Sequence, residues 1–251
     1  DLDKMGIELN KGISICAAGT SHYAAMVGKY WIEKLAGVQV NIDLASEYRY
    51  RSPVANSFSS MIVISQSGES IDTLMAMREA KKLNLKTCAI INVEQSTIDR
   101  EADYSIYTRV GPEIGVASTK SFTSQLTVLF LLALKLAQKF NNLNALEYSK
   151  LIDDTKILPS NLAKLLKLNE KVITIAHKIK NSKNVLFLGR GNLYPIALEG
   201  ALKLKELSYL HAEGYPAGEM KHGPLALIED GLPVVVIAPK DKYFEKTLSN
   251  M

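Results

Sequence analysis

Asn184-Val185-Leu186-Phe187-Leu188-Gly189-Arg190-Gly191 decides the fold, because it restarts a pattern already used once, at Ile13-Ser14-Ile15-Cys16-Ala17-Ala18-Gly19. Each is a short apolar run that ends in a glycine turn and opens a long segment of helical periodicity. Placing Gly19 on Gly191, an offset of 172, carries Ala45-Ser46-Glu47 onto Ala217-Gly218-Glu219, and with one inserted residue carries Met61 to Ile64 onto Val234 to Ile237. Both stretches read strand, glycine turn, long helix, short Ala-x-Glu helix, strand. A repeat of this kind is an internal duplication of a βα unit.

Outward from that repeat, Met61-Ile62-Val63-Ile64 leads to Ser65 and Thr87-Cys88-Ala89-Ile90-Ile91 to Asn92, with helical periodicity over Tyr23 to Leu35 and Asp72 to Leu83. This βαβ punctuation predicts a parallel sheet with helices on both faces. A long helix over Ser121 to Phe140 closes the first unit. Asn141-Asn142-Leu143-Asn144 then breaks the pattern, and helices over Ala145 to Lys164 and Asn169 to Asn181 form a connector. We therefore expect a first domain at residues 1–140, a helical connector at 141–182 and a second domain at 183–251. Met251 corresponds to Arg78, so the second domain is expected to be truncated, without a counterpart of Glu79 to Phe140 and with a sheet edge uncovered.

With 251 residues, 47% apolar and 22% charged, the chain has ordinary globular composition, which excludes disordered, collagen-like and coiled-coil classes. Thirty basic against 26 acidic residues give +4, scattered without aromatic interleaving, so no nucleic-acid partner is expected. The only cysteines, Cys16 and Cys88, sit in apolar runs, which argues against a disulfide framework and for the cytosol. No signal peptide opens the chain, and the most apolar run, Val128 to Leu134, falls far short of the ~20 residues that span a bilayer. We read it as a buried helix and expect no membrane association.

The segment Ser65-Gln66-Ser67-Gly68-Glu69-Ser70 follows a strand and opens a helix. Three hydroxyls, a glycine and unpaired helix N–H groups suit a phosphate monoester. No lysine follows, so this is not a nucleotide P-loop, and an ordinary serine-rich N-cap is the competing interpretation. Glu69, the one carboxylate there, should point away. Ala18-Gly19-Thr20-Ser21 ends the first strand and should face the same crevice. In the second copy, Glu199, Lys203 and Glu206 share one helical face, as a solvated salt-bridge stripe also would. Gly189-x-Gly191 lacks the third glycine of a dinucleotide fingerprint. His211-x-Glu213 has no Pro-Cys-x-x-Cys partner, so no metal is expected. His222, followed by Gly223-Pro224, sits in a fixed turn and is suited to proton exchange near neutral pH.

Ser65 through Leu74, Glu113-Ile114-Gly115-Val116-Ala117-Ser118-Thr119-Lys120, Glu199 through Glu206, and Lys221-His222-Gly223-Pro224 together resemble the isomerase part of the glutamine:fructose-6-phosphate aminotransferases, the glucosamine-6-phosphate synthases. The resemblance covers nearly the whole chain. It implies two tandem doubly wound parallel-sheet domains of flavodoxin-like α/β type, no cofactor, and fructose 6-phosphate and glucosamine 6-phosphate as the sugars handled. By resemblance, Gly19, Thr20, Ser21, Ser65, Gln66, Ser67 and Ser70 hold the sugar phosphate, and Val116 and Ser118 line the sugar. Glu206 matches the glutamate that moves a proton between C1 and C2, with Lys203 assisting. His222 matches the ring-opening histidine supplied to the neighbouring subunit, which implies a homodimer.

Ala18 stands where the family commonly has Cys, and Ser70 where it commonly has Thr. The family opens with a glutaminase domain and closes with a tail lysine that forms a Schiff base. Here Asp1-Leu2-Asp3-Lys4-Met5 leads directly into the isomerase part, so ammonia is expected from a domain outside this chain. A related sugar-phosphate isomerase or deaminase, and a non-catalytic sugar-phosphate sensor, are the alternatives; Glu206, Lys203 and His222 together are superfluous for a sensor.

Overall fold

Ile13, Ile15, Cys16 and Ala17 are fully buried in a six-residue strand, β1 (Gly12–Ala17), as expected of a strand covered on both faces. The computed structural model to which β1 is central describes residues 5–8, 11–54 and 58–249. From β1 the chain runs through α1 (Gly19–Trp31), a wider π turn at Ile32–Ala36, β2 (Val40–Leu44), α2 (Ala45–Tyr48), β3 (Phe58–Ser65), α3 (Ile71–Lys82), β4 (Lys86–Ile91), α4 (Thr97–Glu101), β5 (Tyr104–Tyr107) and α5 (Lys120–Lys139). Then come α6 (Ala145–Lys156), α7 (Leu158–Leu165) and α8 (Asn169–Ile179). The pattern resumes with β6 (Asn184–Gly189), α9 (Tyr194–Ser208), β7 (His211–Pro216), 3-10 turns at Ala217–His222 and Pro224–Leu227, β8 (Val234–Val236) and α10 (Phe244–Leu248). Asp1 to Lys4, with which the sequence opens, and Met251, used above to place the end of the repeat, lie outside the described residues.

The chain divides into two compact units, Asp1–Asn142 and Leu143–Met251. Among the described residues of the first, five parallel strands lie in the order β2-β1-β3-β4-β5. The winding reverses between β1 and β3, and ligands in open α/β sheets sit at such a point, outside the carboxyl ends of the strands. One face of the sheet is closed by a core that includes Cys16, Met61, Val63, Met77, Ala89 and Ile98. Fully burying an Ile or Met side chain contributes about 1.5–3 kcal/mol.

α5 packs its buried Leu129, Leu132, Leu134 and Leu136 into the first unit and keeps Leu131 exposed. The whole 20-residue helix is long and apolar enough to cross a membrane by length and composition, which the shorter run Val128 to Leu134 concealed, yet half of that stretch is buried inside the fold. At Gly28 a side chain would meet Leu129 at 3.0 Å, so the absent Cβ lets α1 and α5 approach closely.

The second unit has three parallel strands in the order β7-β6-β8 among its described residues. Ile13 pairs with Val40 in the first sheet and Val185 with Ala212 in the second, both members shifted by 172. Ser14 pairs with Met61, and Leu186 with Val234, the second member shifted by 173 through the single insertion. Strand order and pairing register are thus repeated residue for residue.

Two helix boundaries differ from expectation. The helix predicted over Ala145 to Lys164 is broken at Ile157, because Pro159 at the start of α7 has no N–H to continue the ladder of α6. The first helix begins at Gly19 rather than Tyr23, since Gly19 to Ser21 form its first turn. No residue of α6, α7 or α8 is buried.

Candidate functional site

The first site is built from the ends of two adjacent strands. β1 ends at Ala17, Ala18 is extended, and Gly19 opens α1 with a φ of +53°; a Cβ there would meet nothing within 4 Å, so the conformation rather than space calls for glycine. Next to it, β3 ends at Ser65. The turn beyond is organised by its own hydroxyls. Ser65 Oγ accepts from the Gly68 amide at 3.1 Å, Ser67 Oγ from the Glu69 amide at 3.2 Å, and Ser70 Oγ from the Thr73 hydroxyl at 3.1 Å. A hydroxyl that accepts a bond keeps its proton to donate, so each of these can turn that proton toward an anion. Gly68 has a φ of +66°, and a Cβ on it would overlap the hydroxyl of buried Ser96. The 12-residue α3 then starts at Ile71, its first amides adding to the positive end.

Glu69 is turned away, as expected: its Oε1 accepts from the Thr97 amide at 2.7 Å, a bond that lowers its pKa. Gln66 and Ser67 are half-buried, and the Gln66 carbonyl accepts from the Asn92 amide at 3.1 Å. The Asn92 side chain in turn holds the loop after β5, accepting from the Thr108 hydroxyl and the Val110 amide and donating to the Gly111 carbonyl. Further along that loop, Val116 is 93% exposed and Ser118 half-buried.

Glu113 fixes the loop to the N-terminus of α5, where Thr119 makes no side-chain cap. Its carboxylate accepts from the Thr119 amide at 2.7 Å, the Lys120 amide at 3.0 Å and the Ser121 hydroxyl at 2.5 Å. Burial pushes this carboxyl up, but the bonds from Ser121, Thr119 and Ser118 outweigh it and hold the pKa at about 2. Asn92 and Gln125, whose Nε2 donates to Ser21 Oγ at 3.0 Å, were not found by sequence reasoning, and Glu113 was quoted within a motif without this role. Gln125 and Ser21 lie 104 positions apart, and no local pattern joins them.

Cys16 and Cys88 are fully buried, and burial pushes both thiols up to about 12, so neither serves as a nucleophile at neutral pH. A cleft of about 710 Å³ beside β5 and α5, lined by Tyr104, Ile106, Leu131 and Lys135, contains none of the predicted site residues. Among the described residues no group of three His, Cys, Asp or Glu side chains could hold a metal ion.

In the second unit the predicted helical face is formed as the spacing required. Lys203 Nζ lies 3.5 Å from Glu199 Oε1 and 2.6 Å from Glu206 Oε2. Glu199 is buried and Lys203 largely so, whereas Glu206 keeps about a third of its side chain exposed. A carboxylate held by an ammonium but open to solvent can exchange a proton with a ligand. α9 ends at Ser208, with Tyr209 left-handed at φ +60°, so Glu206 precedes β7. His222 follows β7 in the exposed turn whose next residue, Gly223, has φ +138°. The six residues of β7 span about 20 Å between these two elements.

Two doubly wound parallel sheets in tandem, one with a hydroxyl-lined turn at its strand ends and one beside a Glu-Lys-Glu helix face, place the chain among the α/β parallel-sheet proteins. The chain belongs to the SIS domain family, whose model matches residues 7–135 and 178–250. It is 51% identical over 239 residues to the glutamine–fructose-6-phosphate aminotransferase (isomerizing) of Bartonella henselae and 52% identical over 239 residues to that of Methanosarcina acetivorans. In both cases the match covers 95% of this chain and 39% of the relative, so the chain spans about two fifths of their length. The C-terminal domain of glucosamine-fructose-6-phosphate aminotransferase from Francisella tularensis superposes with a TM-score of 0.96 at 46% identity, over 99% of this chain and 70% of that one. A glucosamine-6-phosphate deaminase from Thermotoga maritima matches at 25% identity and a TM-score of 0.77, over 98% of this chain and 73% of that one.

Proposed function

We propose that this chain is the sugar-phosphate-isomerising part of a cytosolic glutamine:fructose-6-phosphate aminotransferase. The observation that carries the proposal is the pair of turns, Gly19 to Ser21 and Ser65 to Ser70, flanking the β1/β3 reversal with their one carboxylate bound elsewhere. In this reading the phosphate of fructose 6-phosphate lies among Ser65, Gln66, Ser67 and Ser70, Gly19, Thr20 and Ser21 complete the cradle, and Val116 and Ser118 meet the sugar.

Ketose-to-aldose conversion needs one group that takes a proton from C1 and returns one at C2, the reverse of the direction in which an aldose would be consumed. Glu206 does this, its charge balanced and its side chain held by Lys203 at 2.6 Å. His222 opens the ring. Its separation from Glu206 by the length of β7 supports its supply to a second copy of the chain, and hence a homodimer. Ammonia comes from a glutaminase domain, and the product is glucosamine 6-phosphate. The 51% identity to the aminotransferases against 25% to the deaminase favours synthesis over the related deamination.

Titration calorimetry with fructose 6-phosphate tests the anion turn. The chain should bind it, and Ser67→Ala should weaken binding by about 1–3 kcal/mol, the cost of losing a hydrogen bond to a charged group. Equal affinity in the variant would remove the phosphate from this turn.

A further inference from the structure

Resting on the sugar-phosphate reading of the Gly19 to Ser21 turn, we propose that Gln125 is a positioning residue: its buried amide orients the Ser21 hydroxyl so that its proton is donated to a ligand oxygen.

Gln125 is only 2% exposed on α5, and its Nε2 donates to Ser21 Oγ at 3.0 Å. An amide nitrogen is a donor only, so at this contact the hydroxyl must accept. A hydroxyl has one proton, and with Gln125 occupying an acceptor position that proton is directed to another partner. Ser21 is half-buried in the first turn of α1, at the carboxyl end of β1, where the anion turn of β3 lies alongside. The contact thus gives Ser21 a defined polarity, that of a donor toward the crevice.

The helix packing serves this contact. Ser21 and Gly28 are seven positions apart on one face of α1, and Gln125 and Leu129 four apart on one face of α5. The missing Cβ at Gly28, which would meet the Leu129 side chain at 3.0 to 3.2 Å, brings the helices close enough for the amide to reach Ser21. Packing alone does not call for an amide here. Gln125 Oε1 is buried without a hydrogen-bond partner, an arrangement that an apolar side chain of similar length would avoid.

A double-mutant cycle in the 251-residue chain separates positioning from simple helix tethering. Fructose 6-phosphate is titrated into the unsubstituted chain, Ser21→Ala, Gln125→Met and the double variant, with Ser67→Ala as a control and melting temperature recorded for each. Gln125→Leu stands in should the methionine variant fail to fold. We expect each single change at Ser21 or Gln125 to weaken binding about 10-fold, and the double variant to bind no more weakly than Ser21→Ala. Independent losses that multiply in the double variant would overturn the inference. So would unchanged affinity in Gln125→Met alongside weakened binding in Ser67→Ala, and this result would leave the sugar-phosphate reading standing. No binding by the unsubstituted chain would overturn that reading and the inference together.

Discussion

The Thr97 amide donates to Glu69 Oε1 at 2.7 Å, so the negative charge nearest the anion turn is held against the start of α4 rather than over the serines. That bond keeps the carboxylate engaged at Thr97, as the proposed phosphate site requires. Glu69→Gln retains an oxygen for Thr97 while removing the charge. Affinity for inorganic phosphate should therefore stay level or rise a few-fold, by about the weak attraction of screened surface charges. A tenfold fall, measured by calorimetry, would place the Glu69 carboxylate among the ligand's direct partners.

Gly68→Ala should be among the most damaging single changes in the first unit. It forces a left-handed conformation on a residue with a Cβ and drives that Cβ into Ser96. Strain and overpacking together should cost about 2–4 kcal/mol in urea unfolding. Gly19→Ala, where no atom lies within 4 Å, carries only the conformational part, about 1–2 kcal/mol. Equal losses at the two positions would show that the Ser96 contact is relieved at no cost.

Glu113 should make the first unit sensitive to acid. Its carboxyl is held at about 2 against an ordinary 4.5, so the ionised form stabilises the fold, fully so above about 4.5. As pH falls from 4.5 toward 2, protonation removes that contribution. Glu113→Gln should lower the melting temperature at pH 7, corresponding to about 1–3 kcal/mol for weakened bonds to Thr119, Lys120 and Ser121. The gap between variant and parent should close as pH approaches 2. A gap that persists at pH 2 would mean the carboxylate charge is not what holds the loop.

Glu206→Gln, in a protein of the relatives' full length, should retain sugar-phosphate affinity while incorporating no deuterium from heavy water at the sugar carbons. Glutamine keeps the shape and the contact with Lys203 but cannot take up the proton. Continued incorporation would move the proton transfer to another group, His222 first.

The frame of the fold was legible because it is periodic. The shift of 172 that aligns Gly19 with Gly191 also aligns Ile13–Val40 with Val185–Ala212, since a parallel register is set by which residues alternate into the core. The serine turn and the Glu199, Lys203, Glu206 face were legible for a related reason: their residues are neighbours along the chain or along one helix. Asn92 and Gln125 were not, and Glu113 was legible only as part of a motif, not as the residue that holds the loop to α5. Asn92 acts on partners 16 to 19 positions away and Gln125 on one 104 away, and a lone Asn or Gln in a loop or helix has no sequence mark that names its partner. The break at Ile157 was missed although Pro159 marked it, because apolar periodicity continued across it.

The repeated register has one more consequence. Gly191 holds a φ of +58° where Gly19 holds +53°, so both copies make the same left-handed turn at the end of their first strand, open at Gly19 but faced by the Tyr243 ring at Gly191. One carries Ala18, Thr20 and Ser21 around its glycine, the other Arg190, Asn192 and Leu193 at the matching positions. The two copies thus share strand pairing and turn geometry while differing in the polar residues at their rims. Interchanging matched strand residues, such as Ile13 with Val185, should therefore be far better tolerated than interchanging the two rims.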